Sequence, residues 1–137
     1  MKPAERSRTV TFWHVALIAV VALTLVVRLV PGERTIDDAY ITFRYARNLL
    51  AGQGFVYNPG QRVQGTTTPL YTLLMVAAKG VLPAVSLPRL ALVTNALADA
   101  ISVVVLAWLG KRALGAPWLG LAAGLLWAIS PMSVTFA

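Results

Sequence analysis

The stretch TVTFWHVALIAVVALTLVV, residues 9–27, decides the fold class, because it carries no formal charge between Arg8 and Arg28. A helix needs about 20 apolar residues to cross the roughly 30 Å of hydrocarbon in a bilayer. The stretch therefore predicts a transmembrane helix over residues 9–30. A cleaved signal peptide is the alternative, but its apolar region would be shorter, and VRLVPGE offers no small-x-small cleavage site. We therefore predict an uncleaved anchor.

Composition places the whole chain in the membrane class. Of its 137 residues, 58% are hydrophobic and only 12% are charged, which excludes an ordinary soluble domain. The chain has 12 basic and 5 acidic residues. In a membrane protein such a basic excess usually reflects its topology and its contacts with anionic lipid, so we expect no nucleic-acid partner. Without cysteine and with His14 as its one histidine, the chain could bind a divalent cation only through carboxylates.

Two further apolar runs predict transmembrane helices over residues 89–110 and 117–137. They are separated by a turn at residues 111–116 that contains the pair Lys111 and Arg112. Basic residues concentrate on the cytoplasmic side of membrane proteins, and Lys2, Arg6 and Arg8 precede the first span. We therefore predict a cytoplasmic segment at residues 1–8, a cytoplasmic turn at 111–116, and an external loop at residues 31–88.

A shorter apolar run lies inside this loop and leaves the number of spans open. PLYTLLMVAA, residues 69–78, is apolar over ten residues, and ten residues of helix rise only about 15 Å. A half-length helix over residues 68–82, lying at or dipping into the membrane surface, fits that length better than a fourth span. We predict an all-α polytopic membrane protein with three transmembrane helices and juxtamembrane helices in the first external loop, with four spans as the alternative.

The external loop opens with TIDDAYITFRYARNLLAGQG, which predicts an amphipathic helix over residues 37–51 that ends before Gly52. Helical spacing places one polar stripe and one apolar stripe on it. The polar stripe contains Asp37, Tyr40, Arg44, Arg47 and Asn48, and the apolar stripe contains Ala39, Phe43, Ala46 and Leu50. The apolar stripe is suited to lying on the membrane or on the spans. YNPGQ then predicts a type II turn with Pro59 and Gly60 at its centre.

The adjacent acids Asp37 and Asp38 have two interpretations. Aspartate caps helices well and is favoured in the first turn by the helix dipole, but one acid is enough for that. A carboxylate that takes a proton, beside arginines that bind phosphate, is what a lipid-phosphate substrate requires. We therefore treat Asp37 and Asp38 as candidate catalytic residues, or metal ligands if a cation is bound, with Arg44 and Arg47 as candidate phosphate contacts.

The order DDAYITFRYARNLLAGQGFVYNPGQRVQGTTTPLYTLL, residues 37–74, resembles the first external loop of bacterial GT-C type glycosyltransferases. Among these enzymes it resembles the arabinofuranosyltransferase-like group, related to protein mannosyltransferases and the lipid A aminoarabinose transferase. The resemblance rests on the acidic pair after the first span, the arginine-bearing surface helix, the YNPG turn, and the GTTTPL entry to a second surface helix. We also treat Tyr40, on the polar stripe, and Thr67, in the GTTTPL sequence, as candidate substrate-binding residues.

The resemblance implies transfer of a sugar from a polyprenyl-phosphate donor to an acceptor hydroxyl on the outer side of the bacterial cytoplasmic (inner) membrane. The acceptor would be a cell-envelope glycan, lipid or protein. One acid of the pair would be the general base, and the anomeric configuration would invert. Family members are several times longer than this chain, so we expect an N-terminal fragment that is inactive alone. The alternative is a small non-enzymatic membrane protein, structural or transport-associated, whose acid pair only caps a surface helix.

Asp99 interrupts the second long apolar run near its middle. An acid at that depth costs about 2.5–3.5 kcal/mol on insertion scales and normally faces protein. It indicates either a proton or ion pathway or an interhelix hydrogen-bond lock, and one acid alone favours the lock, with Asn95 or Thr94 as partners. We expect Arg28, at the end of the first span, to extend outward to the membrane surface.

Overall fold

The computed structural model describes the backbone of residues 3–33, 37–61, 63 and 65–130. Side chains are described within these ranges, except those of residues 3–11 and Asp37. Five helices follow one another along the chain, and the described residues contain no strand beyond an isolated bridge between Asn58 and Gln61. The expected all-helical architecture is confirmed for this part of the chain. The helices are α1 (Pro3–Leu29), α2 (Asp37–Leu50), α3 (Pro69–Val81), α4 (Leu87–Arg112) and α5 (Pro117–Ile129).

The helix ends follow the chemistry of the sequence at several of these boundaries. Proline occupies a first helical position of both α3 and α5, where its missing N–H has no intrahelical role and its fixed φ suits the helix. Helix α1 begins earlier than the predicted span, whereas α5 ends at Ile129. The predicted continuation of that last span through residues 131–137 lies outside the described residues.

The chain divides into two compact units, and α4 contributes to both. One unit comprises Met1–Gly32 and Thr94–Ala137, and the other comprises Glu33–Val93. We call them the anchor unit and the loop unit. The anchor unit therefore contains α1, α5 and most of α4, whereas the loop unit contains α2, α3 and the first turns of α4.

Glycines bring α4 and α5 into close contact in the anchor unit. Gly110 lies directly against Gly120. A Cβ at Gly120 would lie 2.7 Å from the carbonyl oxygen of Leu106 and 2.9 Å from that of Ala107, and a Cβ at Gly124 would lie 3.2 Å from Val103. Small residues four apart let helix backbones approach closely, as is common between membrane helices. The sequence GLAAG at residues 120–124 therefore forms the contact surface of a tight helical hairpin.

Aromatic residues join α1 to the start of α5. Trp13 is buried against Ala107 and Leu121, and its indole N–H donates to the carbonyl of Pro117 at 3.2 Å. Lys111 lies over the Trp13 ring, with its ammonium 4.3 Å from the ring centroid. An indole ring packed on apolar atoms with its N–H bonded satisfies both parts of the side chain. The beginnings of α1 and α5 and the end of α4 are therefore held together.

The opposite end of α1 contradicts one expectation. Arg28 does not extend outward: it is 2% exposed, its Nε donates to Asp99 at 2.5 Å, and its Nη1 donates to the carbonyl of Ala128 at 2.7 Å. The expected interhelix lock at Asp99 is present, with Arg28 and the indole of Trp127 as partners. The reason is that the end of α5 lies beside Asp99, so the guanidinium of Arg28 bonds both to the carboxylate and to carbonyls at the end of α5.

Two described helices are long and apolar enough to cross a membrane, over Phe12–Leu29 and Leu87–Arg112. Helix α5 is also apolar but has 13 residues, which rise about 20 Å and fall short of a bilayer's hydrocarbon core. Helix α3, also of 13 residues, has the half-length expected for it. The third span therefore stays a prediction.

The loop unit has its own apolar core, built on the apolar stripe of α2. Phe43 and Ala46 are buried against Met75 of α3 and against the first turns of α4 at Leu87 and Leu90. We expected this stripe to lie on the membrane or on the spans; α3 and the start of α4 cover its centre. Because the core fixes α2 by its apolar side, the polar side chains of α2 occupy defined positions around it.

Candidate functional site

Helix α2 carries most of the candidate residues, and its end is well defined. Gly52 has a φ of +73°, its N–H donates to the carbonyl of Leu49 at 3.1 Å, and the N–H of Gln53 donates to the carbonyl of Asn48 at 2.9 Å. This pair of bonds is the Schellman motif, in which glycine accepts the left-handed conformation without a Cβ clash. The motif turns the chain back along α2.

The returning segment is then tied to the polar face of α2. The Asn48 side-chain amide donates to the carbonyls of Val56 at 2.7 Å and Tyr57 at 2.9 Å. Arg44 donates from Nε to the Tyr57 carbonyl at 3.1 Å, and its guanidinium lies 5.0 Å from the centroid of the Tyr57 ring. The predicted turn follows, with Gly60 at φ +83°. Arg44, a predicted phosphate contact, therefore contacts this returning segment.

A second connection uses the buried ring of Tyr45. Its side chain is fully buried, with Phe55 and Tyr57 at ring-centroid distances of 5.0 and 6.0 Å. Its hydroxyl donates to the carbonyl of Val63 at 2.6 Å and accepts from the N–H of Gly65 at 2.7 Å. One phenol thus satisfies two backbone groups of the segment that leads to α3.

Beside this connection lies a cavity of about 450 Å³, which we call the threonine cavity. It is open to one side, and its wall combines one carboxylate with several hydroxyl groups. It is lined by Asp38, Ala39, Ile41, Thr42, Gly65, Thr66, Thr67, Thr68 and Tyr71. The volume lies within the range of about 300–1,000 Å³ usual for small-molecule sites. A carboxylate surrounded by hydroxyl groups suits a ligand rich in hydroxyl groups, because each ligand hydroxyl can both donate and accept.

A second depression of about 210 Å³ lies on another side of α2, and we call it the cationic cleft. It is lined by Tyr40, Phe43, Arg47, Lys79, Leu87 and Pro88. The ammonium of Lys79 donates to the carbonyls of Pro83 and Val85, each at 2.7 Å, so this cation has a fixed position. Two cations beside apolar side chains suit an anionic group attached to an apolar chain.

The structure thus separates the candidate residues into two groups. Asp38 and Thr67 line the threonine cavity, whereas Tyr40 and Arg47 line the cationic cleft. Asp38 and Arg47 are nine residues apart, which corresponds to opposite sides of a helix and about 13.5 Å along its axis. The side chain of Asp37 lies outside the described part of the chain. The described residues of the predicted polar stripe therefore have two different surroundings. Tyr40 and Arg47 line the cationic cleft, whereas Arg44 and Asn48 bond to the segment that follows α2.

Several residues of this region were missed in the sequence. None of Tyr45, Thr42 and Lys79 is among the candidate site residues predicted from the sequence. A signal was available for the first two, because Asp38, Thr42 and Tyr45 follow the spacing i, i+4 and i+7 that places them on one helix face. Among the described side chains, no group of three or more His, Cys, Asp or Glu residues could hold a metal ion. A cation at Asp37 and Asp38 stays a prediction.

Part of the chain is similar to known glycosyltransferases. Over 83 residues it is 41% identical to a terminal beta-(1->2)-arabinofuranosyltransferase of Mycobacterium tuberculosis, a stretch that is 59% of this chain and 13% of that protein. Over 43 residues it is 49% identical to the protein of the same name in Corynebacterium glutamicum, covering 30% of this chain and 6% of that protein. The chain thus spans a small part of the length of these relatives. No family model and no solved structure matches it.

Proposed function

We propose that this chain forms the first external loop and adjoining spans of a membrane glycosyltransferase of GT-C type. The observation that carries the proposal is the threonine cavity, where Asp38 and Thr67 lie together. The partial similarity to arabinofuranosyltransferases supports the same reaction class. The sugar donor would be a polyprenyl phosphate carrying arabinofuranose, and the acceptor would be a cell-envelope glycan. The transferase activity would require these residues together with any further residues that the gene encodes.

In the proposed reaction the acceptor occupies the threonine cavity and Asp38 is the general base. The carboxylate takes the proton of the acceptor hydroxyl as that oxygen forms a bond to the anomeric carbon of the donor. The bond from the anomeric carbon to the phosphate oxygen breaks at the same time, and its electron pair leaves with the polyprenyl phosphate. Attack opposite to the leaving group inverts the anomeric configuration. A phosphate leaves as a stable anion, so no acid is needed on that side.

The cationic cleft has a different part in this proposal. Because Arg47 lies about 13.5 Å along the helix from Asp38, it would not contact the phosphate of a sugar attacked beside Asp38. Arg47 and Lys79 would instead attract the anionic donor to this side of the loop unit by their charge.

The same proposal includes the position of the chain in the membrane. Residues 1–8 and the turn at 111–116 would lie in the cytoplasm, and the loop unit would face the outer side of the bacterial inner membrane. Helix α5, with residues beyond Ile129, would complete a third span. Support comes from Lys2, Arg6 and Arg8 before the first span and from the pair Lys111 and Arg112 after the second long apolar run. It also comes from the two apolar helices of sufficient length.

The test is transfer of arabinofuranose from its polyprenyl phosphate to an arabinofuranose-containing glycan, by membranes that contain the protein as its gene encodes it. Asp38→Asn should lower kcat roughly 10²–10⁴-fold, the range for loss of a general base. Glu33→Gln is the matched control, because Glu33 is a nearby exposed acid that lines neither cavity. We expect this control to keep wild-type activity.

Each remaining outcome has a definite meaning. Loss of activity in Asp37→Asn with full activity in Asp38→Asn would transfer the role of general base to Asp37. Full activity in both variants would remove the general base from this acid pair. Absence of transfer by the wild-type protein, with these donors and acceptors, would favour the non-enzymatic alternative.

A further inference from the structure

We propose that Tyr45 is a positioning residue for the acceptor side of the reaction, setting the wall at residues 65–68 against Asp38 through its bond to Gly65. The proposal rests on the function proposed above. The hydroxyl of Tyr45 has both of its roles occupied by backbone, as a donor to Val63 and as an acceptor from Gly65. Its contacts therefore fix the path of the main chain itself.

The geometry shows that the wall is attached to α2 at both ends. Tyr45 holds Gly65 at 2.7 Å, and the hydroxyl of Thr42 lies 3.4 Å from that of Thr68. The residues between these two attachments are Thr66 and Thr67, which line the threonine cavity. A segment fixed at both ends keeps its middle residues in place with little freedom. The position of these hydroxyl groups relative to Asp38 is thus set by two side chains of α2.

Burial makes the Tyr45 attachment stronger than an exposed one. The side chain is fully buried, and a buried hydroxyl without partners would be costly. Displacement of Gly65 would remove the donor to the Tyr45 oxygen and the acceptor of the Gly65 N–H, leaving the phenol with its bond to Val63 alone. The contact is also tight, since a Cβ at Gly65 would lie 3.2 Å from the Tyr45 hydroxyl. Glycine at this position therefore allows the close approach that the bond requires.

The experiment compares Tyr45→Phe and Gly65→Ala in the protein as its gene encodes it. Tyr45→Phe removes the hydroxyl and keeps the ring, whereas Gly65→Ala keeps the hydroxyl and displaces the wall. Both should lower kcat/KM for the glycan acceptor roughly tenfold or more, because small misplacements at a reacting centre carry such factors. The KM for the polyprenyl-phosphate donor should change less than about twofold, as expected when one substrate site is altered.

Hydrogen exchange provides a measurement that does not depend on activity. In Tyr45→Phe the amide of Gly65 should exchange at least about tenfold faster, while the amides in the middle of α2 keep their protection. Tyr57→Phe is the control. It also removes a hydroxyl from a ring that packs against Tyr45, but Tyr57 lines neither cavity. That variant should match the wild type in both measurements.

The possible failures are distinguishable. Wild-type membranes without transfer would reject the proposed function, and this inference with it. With an active wild type, unchanged acceptor kinetics in Tyr45→Phe would overturn the positioning role alone. Equal losses for donor and acceptor in both variants would overturn it too, because they would indicate a general loss of structure.

Discussion

Arg28 of α1 forms an ion pair with Asp99 of α4, and its further bonds to α5 join three helices of the anchor unit. The same guanidinium donates to the carbonyls of Ala128 at 2.7 Å and Trp127 at 3.4 Å, and these are among the last carbonyls of α5. The last carbonyls of a helix lack the usual partner one turn further on and carry the negative end of its dipole. The Trp127 carbonyl also accepts from the backbone N–H of Ser130 at 3.2 Å. Arg28 therefore balances Asp99 and caps α5 with one group, which explains how two opposite charges are accommodated in an apolar unit.

Removal of one member of this pair should destabilise the anchor unit strongly. Asp99→Leu leaves Arg28 buried without its carboxylate, and breaking a buried ion pair costs about 3–5 kcal/mol. Asp99→Asn should cost less, because the amide oxygen can still accept from the guanidinium. Chemical unfolding in detergent micelles measures the difference. Ser102→Ala is the control on the same helix, since Ser102 bonds only to the Ala98 carbonyl within its own helix; an equal effect of all three changes would contradict the lock.

The contact between α4 and α5 should not tolerate a methyl group at Gly120. The carbonyls of Leu106 and Ala107 would lie under 3.0 Å from a new Cβ, and backbone atoms cannot move aside as a side-chain end can. Gly120→Ala should therefore lower the free energy of unfolding by about 1–3 kcal/mol. Gly80→Ala is the control, because a Cβ at Gly80 of α3 would meet nothing within 4 Å. It should be neutral or stabilising by up to about 1 kcal/mol through helix propensity.

The segment after α2 should depend on Asn48 more than on Arg44. Asn48→Ala removes two hydrogen bonds to the carbonyls of Val56 and Tyr57, with an expected local cost of about 1–3 kcal/mol. Arg44→Ala removes an exposed bond and a cation–π contact, which contribute up to about 1 kcal/mol. Limited proteolysis at residues 53–61 should therefore be fastest in the Asn48 variant. The reverse order would mean that Arg44 is the main support of this segment.

The predicted membrane position can be tested by labelling single cysteines, because the chain has none of its own. Ala84→Cys and Leu114→Cys place the thiol at exposed positions between helices. A membrane-impermeant maleimide applied to whole spheroplasts should label position 84, whereas position 114 should react only after the membrane is opened. Labelling of both positions from outside, or of position 114 alone, would reject the three-span arrangement.

Much of the local structure was predictable because it depends on neighbouring residues. The start of α2 at Asp37, its end at Leu50 and the turn at Pro59 and Gly60 agree with helix periodicity and with glycine's access to positive φ. The length of α3 was likewise apparent from the apolar run between Pro69 and Lys79. Asp99 was identified as a lock because a lone acid in an apolar helix requires a partner from elsewhere.

The partners of these residues could not be read from the sequence, because they depend on how the helices pack. Periodicity placed Tyr40, Arg44 and Arg47 on one stripe, but it could not reveal that Arg44 would be turned toward the Tyr57 carbonyl. The bond between Arg28 and Asp99 depends on where α1, α4 and α5 meet in the anchor unit.

The sequence by itself determined that this protein is helical and apolar, with an acid pair at the start of an amphipathic helix. These properties arise from periodicity, chain length and glycine or proline geometry, which act over a few residues. Only the tertiary structure decided that Asp38 lies with Thr67 while Arg47 lies in a separate cleft. The reason is that α3 covers one face of α2 and thereby fixes which of its remaining side chains can meet.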